Sequence, residues 1–95
     1  MWCDAFPPGN GDLADQLRRA TTSIALNIAE GAGEYSRVDK ARFYRMAKRS
    51  ATECAGVVDV ARRLDIIAPL RFDERRAVLF SIVSMLVKMV RGLAR

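Results

Sequence analysis

The chain has 95 residues, enough for one small domain with a modest core; with 51% hydrophobic and 28% charged residues it is not a disordered polymer. Sixteen Lys and Arg against 11 Asp and Glu leave a net charge of +5, which permits attraction to nucleic acid or another anionic surface. His is absent and Cys3 lies far from Cys54, so no zinc or haem motif can be written and no secreted disulfide scaffold is indicated.

Residues 1–11 read as irregular, punctuated by Pro7-Pro8-Gly9-Asn10-Gly11. The start, Met1-Trp2-Cys3-Asp4, has neither the basic region nor the apolar run of a cleavable leader, so a cytoplasmic protein is expected. A first helix is predicted over about 12–31, with Asp12 as N-cap and Gly31 or Gly33 as the stop. It carries two stripes at three-and-four spacing. Leu13, Leu17, Ala20, Ile24 and Ile28 form an apolar one, and Gln16, Arg19, Ser23, Asn27 and Glu30 form a polar one beside it. Specific polar types on the seam next to a core are where another helix or a ligand meets them.

A second helix is predicted over about 36–66, opened by Ser36 with Asp39 as a weak capping box. Its apolar positions are Phe43, Ala47, Ser50/Ala51, Cys54, Val57/Val58, Ala61 and Leu64, and it must stop before Pro69. A third is predicted over about 73–94. From Ala77 to Val90 its only polar residues are Ser81, Ser84 and Lys88. The run falls short of the roughly 20 apolar residues that a membrane span needs and is flanked by Arg75, Arg76 and Arg91. Leu79, Ile82, Leu86, Met89 and Leu93 follow a heptad alternation, while Val78, Phe80, Val83, Met85, Val87 and Val90 widen the face. A helix so broadly apolar is expected to bury one side in its own subunit and the other against a neighbour.

The run Gln16-Leu17-Arg18-Arg19-Ala20, Ser23-Ile24 and Asn27-Ile28-Ala29-Glu30-Gly31, with Phe43, Ala47, Ser50 and Glu53 downstream, carries a resemblance. It resembles the four-helix-bundle proteins encoded in intervening sequences of bacterial 23S ribosomal RNA genes. The accessory proteins of diversity-generating retroelements look like distant relatives. The match extends from Phe6-Pro7 to about Leu64, and more loosely beyond. What the resemblance implies is a ring-shaped homo-oligomer, a homopentamer, that binds nucleic acid without catalysis. The family pattern has a further helix ahead of the Phe-Pro pair, whereas Phe6-Pro7 here lies near Met1, so three of four helices are expected. The expected fold is therefore an all-α antiparallel helical bundle.

If the first two helices form an antiparallel hairpin, Arg19 faces Glu53, Ser23 faces Arg49, Asn27 faces Arg45 or Met46, and Glu30 faces Arg42. Half-buried charges need such partners. Gln16, Arg19, Ser23, Asn27, Glu30, Arg42, Arg49 and Glu53 then form a polar seam that fixes helix register, whether or not it also touches a ligand. No catalytic site assembles: Ser23 and Ser50 lack a His, and Glu30 and Glu53 lie at opposite ends of the seam. No metal or cofactor is expected. Nucleic-acid contact is expected of Arg37, Lys40, Arg45 and Lys48 on the outer side of the second helix, with Tyr35 and Tyr44 placed to stack on bases. Arg62, Arg63, Arg71, Arg75 and Arg76 add charge at the second connection. No sequence-reading motif is present, so backbone contacts should dominate. The rival reading is a module that docks a protein partner; neither reading calls for a membrane.

Overall fold

A computed structural model of the chain describes residues 9–65 and 69–93. It contains three helices, α1 (Gly11–Gly33), α2 (Arg37–Arg63) and α3 (Pro69–Leu93), and no strand among the described residues. Phe6 and Pro7, from which the resemblance runs, lie outside those residues.

Each helix end has a local cause. α1 begins one residue ahead of Asp12, with the Ala14 amide donating to the Asn10 carbonyl at 3.1 Å. Asp12 sits in the first turn, where a carboxylate suits the positive end of the helix dipole. Ser36 caps α2 as expected: its hydroxyl accepts from the Asp39 amide at 3.3 Å. α2 ends earlier than 66, because Asp65 turns into the left-handed region at φ 56° and its amide closes on the Arg62 carbonyl at 3.1 Å. Among non-glycine residues Asp is one of the few that adopt this conformation readily. α3 begins at Pro69, four residues before the predicted start at 73. Proline stops a preceding helix but fits the first turn of the next, where its missing N–H is not needed.

α2 is the central element. Its buried positions are mostly small: Ala47, Ala51, Cys54, Val58 and Ala61 are wholly inaccessible. Short side chains let α1 and α3 lie close on either flank of α2, and Leu17, Leu79 and Leu86 fill the space between. Among the described residues no Cα of α1 comes within 8 Å of a Cα of α3, so α2 alone joins the bundle at backbone level. Arg76 fastens the α2–α3 flank, donating from Nη1 to both carboxylate oxygens of Asp59 at 3.0 and 3.2 Å. On the solvent side of α3, Val78, Phe80 and Met85 stand exposed, Phe80 at 72%. The breadth of the apolar face is thus real, with one side in the core and the other open. No helix among the described residues is long and apolar enough to cross a membrane.

Candidate functional site

The polar seam forms, with a different membership. At its centre the Ser23 and Ser50 hydroxyls hydrogen-bond across the α1–α2 interface at 2.7 Å. Asn27 supports Ser23 from the next turn of α1: its Nδ2 donates to the Ser23 carbonyl at 2.8 Å and to the Ser23 hydroxyl at 3.1 Å. Ser50 is buried in the helix contact, so its hydroxyl needs a partner there, and Ser23 supplies it. Hairpin register alone puts Arg49 opposite Ser23, and helical spacing puts Ser50 among the apolar positions; the fold instead brings Ser50 to Ser23. A small polar residue on an apolar stripe, level with a serine on the facing helix, was the available signal.

The charged members of the seam are not buried pairs. Gln16, Arg19, Glu30, Arg42, Arg49 and Glu53 are all exposed. Arg19 and Glu53 line an open groove of about 710 Å³ between α1 and α2, together with Gln16, Leu13, Val57 and Val60. Among the described residues the ion pairs within 4 Å include Arg18–Asp15, Arg62–Asp65 and Arg76–Asp59, but none joins Arg19 to Glu53 or Glu30 to Arg42. The reason is rotation. Ser23 and Ser50 point at each other, and the residues flanking them are swung toward solvent at the lip of the groove.

The four cations expected to meet nucleic acid are also divided. Arg37 and Arg45 are exposed, and Lys48 is half-buried. Lys40 turns inward instead, and its ammonium donates to the carbonyls of Gly31 at 3.1 Å and Ala32 at 3.2 Å. It thereby satisfies the last turn of α1, a helix with no basic residue of its own at that end. Tyr44 cannot stack on a base, because it is buried with its ring against Gly31. Tyr35 is wholly exposed in the connection between α1 and α2.

The exposed basic row on α2 is therefore Arg42, Arg45 and Arg49, spaced three and four residues apart. Among the described residues no ion pair engages any of them. Arg42 lies over the Phe43 ring, its guanidinium carbon 5.2 Å from the centroid, which steadies the side chain while leaving its edge donors open. At the second connection Arg62 and Arg76 are committed to Asp65 and Asp59, which removes them from the basic cluster expected there. Cys54 is a core residue: burial first, and the nearby Glu53 carboxylate second, push its thiol up from 9.0 to about 11.

Hydroxyl and amide groups spent on helix register, with cations left on an outer ridge, define an all-α bundle protein whose polar motif serves its architecture. A family model described as 23S rRNA-intervening sequence protein matches residues 5–88, and the chain belongs to that family. No functionally curated protein matches it.

Proposed function

We propose that the chain is a non-enzymatic nucleic-acid-binding module of the cytoplasm, acting as one subunit of a homo-oligomer and holding RNA or DNA by its phosphate backbone. The observation that carries this reading is the row Arg42, Arg45 and Arg49, exposed and outside every ion pair among the described residues. Of the other arginines, Arg18, Arg62 and Arg76 each meet an aspartate; Arg19 is also outside these pairs but lines the α1–α2 groove and belongs to no such row. Cations kept open on one helix of a chain with net charge +5 suit phosphate oxygens, which arginine binds with its planar fork. Half-buried Lys48 flanks the row. In a homopentamer, as the resemblance implies, the row would recur in every subunit and the field would grow accordingly.

The test is a salt titration of RNA binding. Arg45→Gln should weaken binding across sequences and lower the slope against log salt by about one for each phosphate no longer neutralised. Unchanged affinity and slope would reduce the row to a solvated surface.

A second reading, a protein-interaction module without nucleic acid, draws on the exposed Val78, Phe80 and Met85 of α3. Such a surface suits another subunit or a different protein. Phe80→Glu should shift the assembly to smaller species, and sedimentation of the parent chain as a stable monomer at micromolar concentration would remove the oligomer from both readings.

A further inference from the structure

We propose that the corner between α1 and α2 takes an unpaired base on Tyr35, so that this face prefers single-stranded nucleic acid to duplex; the proposal rests on the nucleic-acid reading above. Tyr35 is 101% exposed, so its ring packs on nothing in its own chain. The corner that carries it is nevertheless fixed. The Glu34 amide donates to the Gly31 carbonyl at 3.2 Å, Lys40 bonds the Gly31 and Ala32 carbonyls, and the Ser36 hydroxyl holds the Asp39 amide. Val38, a turn further on, is 77% exposed and continues the apolar surface of the corner. A full aromatic face on an ordered turn is available for stacking with little ordering left to be done.

The second observation is where the cations lie. Val38, Arg42, Arg45 and Arg49 follow one another along the same side of α2, starting next to the corner, and all are exposed. Helical side chains leave the backbone leaning toward the helix N-terminus, which for this row is the Tyr35 end of α2. A backbone running along Arg49, Arg45 and Arg42 is led to Tyr35. In a duplex the bases are stacked on one another and offer no open face to the ring. A single strand offers both phosphates for the row and a base for the platform, and every base has a stacking face, so no sequence reading is required.

The test measures binding of the full chain to a short oligouridylate, to an abasic strand of equal length and to an RNA duplex of equal length. Wild type should prefer oligouridylate to both others. Tyr35→Ala should lower oligouridylate affinity roughly tenfold, to the abasic level, with an unchanged salt slope. Tyr35→Trp should retain the preference, and Arg45→Gln should weaken all three probes and flatten the slope. Because the Tyr35 ring makes no packing contact, the alanine variant should keep the parent's circular dichroism and melting temperature. Unchanged oligouridylate affinity in Tyr35→Ala, or duplex bound as tightly as the single strand, overturns the single-strand preference while the backbone reading stands. No salt-dependent binding of any probe overturns both.

Discussion

Ser23 and Ser50 meet hydroxyl to hydroxyl at 2.7 Å, and this contact sets the rotation of α1 against α2. Removing the Ser23 hydroxyl leaves that of buried Ser50 without this partner, whereas Ser23, half-buried at the groove and still reached by Asn27, can turn to water when Ser50 is changed. Ser23→Ala should therefore cost about 1 kcal/mol or somewhat more, and Ser50→Ala less. The Ser23→Ala/Ser50→Ala double variant should cost clearly less than the two single changes added together. Chemical denaturation of the four proteins measures the coupling, and additive losses would dismiss the bond as a register device.

Arg19 and Glu53 give the contrasting expectation. Both are exposed at the groove and no ion pair joins them. Replacing either should change stability by no more than about 0.5 kcal/mol, the range for surface positions, in place of the several kcal/mol that breaking a buried pair costs. Measured unfolding midpoints decide between the two scales.

Two glycines should respond to alanine with opposite signs. A Cβ on Gly31 would sit 2.6 Å from Cε1 of the buried Tyr44 ring, so Gly31→Ala must displace the ring and should destabilise by about 1–3 kcal/mol. Gly56 lies mid-helix with nothing within 4 Å of such a Cβ. Gly56→Ala should stabilise by about 0.5–1 kcal/mol through lower unfolded-state entropy and better helix propensity. Thermal melts of both variants check the signs, and a stabilised Gly31→Ala would rule out the close ring contact.

Lys40 and Arg45 lie on one helix but should separate cleanly. Lys40→Met removes the donor that serves the last carbonyls of α1, so stability should drop by the worth of a cap, about 0.5–1.5 kcal/mol, with the salt slope of RNA binding unchanged. Arg45→Gln should do the reverse. Equal effects of both changes on the slope would place Lys40 at the phosphate after all.

Cys54 should act as a buried neutral thiol. With its folded-state value raised to about 11 from 9.0, the native state holds the proton more tightly than the unfolded chain. Its contribution is therefore constant below about pH 9 and is lost as pH rises from there to about 11, by up to about 2–3 kcal/mol. Comparing the pH dependence of stability with that of Cys54→Ala isolates the effect. Superimposable curves would mean that the thiol is solvated.

The helices and the family were legible along the chain. Periodic apolar positions, the Ser36 cap and the glycines at the end of α1 are local signals, and the predicted α1 and α2 ends fall within three residues of those observed. The breadth of α3's apolar face was legible for the same reason. Its start was not, since Pro69 marks a helix boundary in either direction and only the folded chain shows which side continues. The fate of the polar residues was settled by packing. Helical spacing puts Ser23, Arg19 and Asn27 on one stripe, but a modest difference in rotation separates a hydroxyl at the interface from a guanidinium in solvent. That angle is set by the Ser23–Ser50 bond together with the way the small residues of α2 receive Leu17, Ala20 and Ile24, a packing outcome with no local code. Lys40 makes the same point: its ammonium reaches α1 carbonyls eight and nine residues back only because the corner between the helices folds them within range.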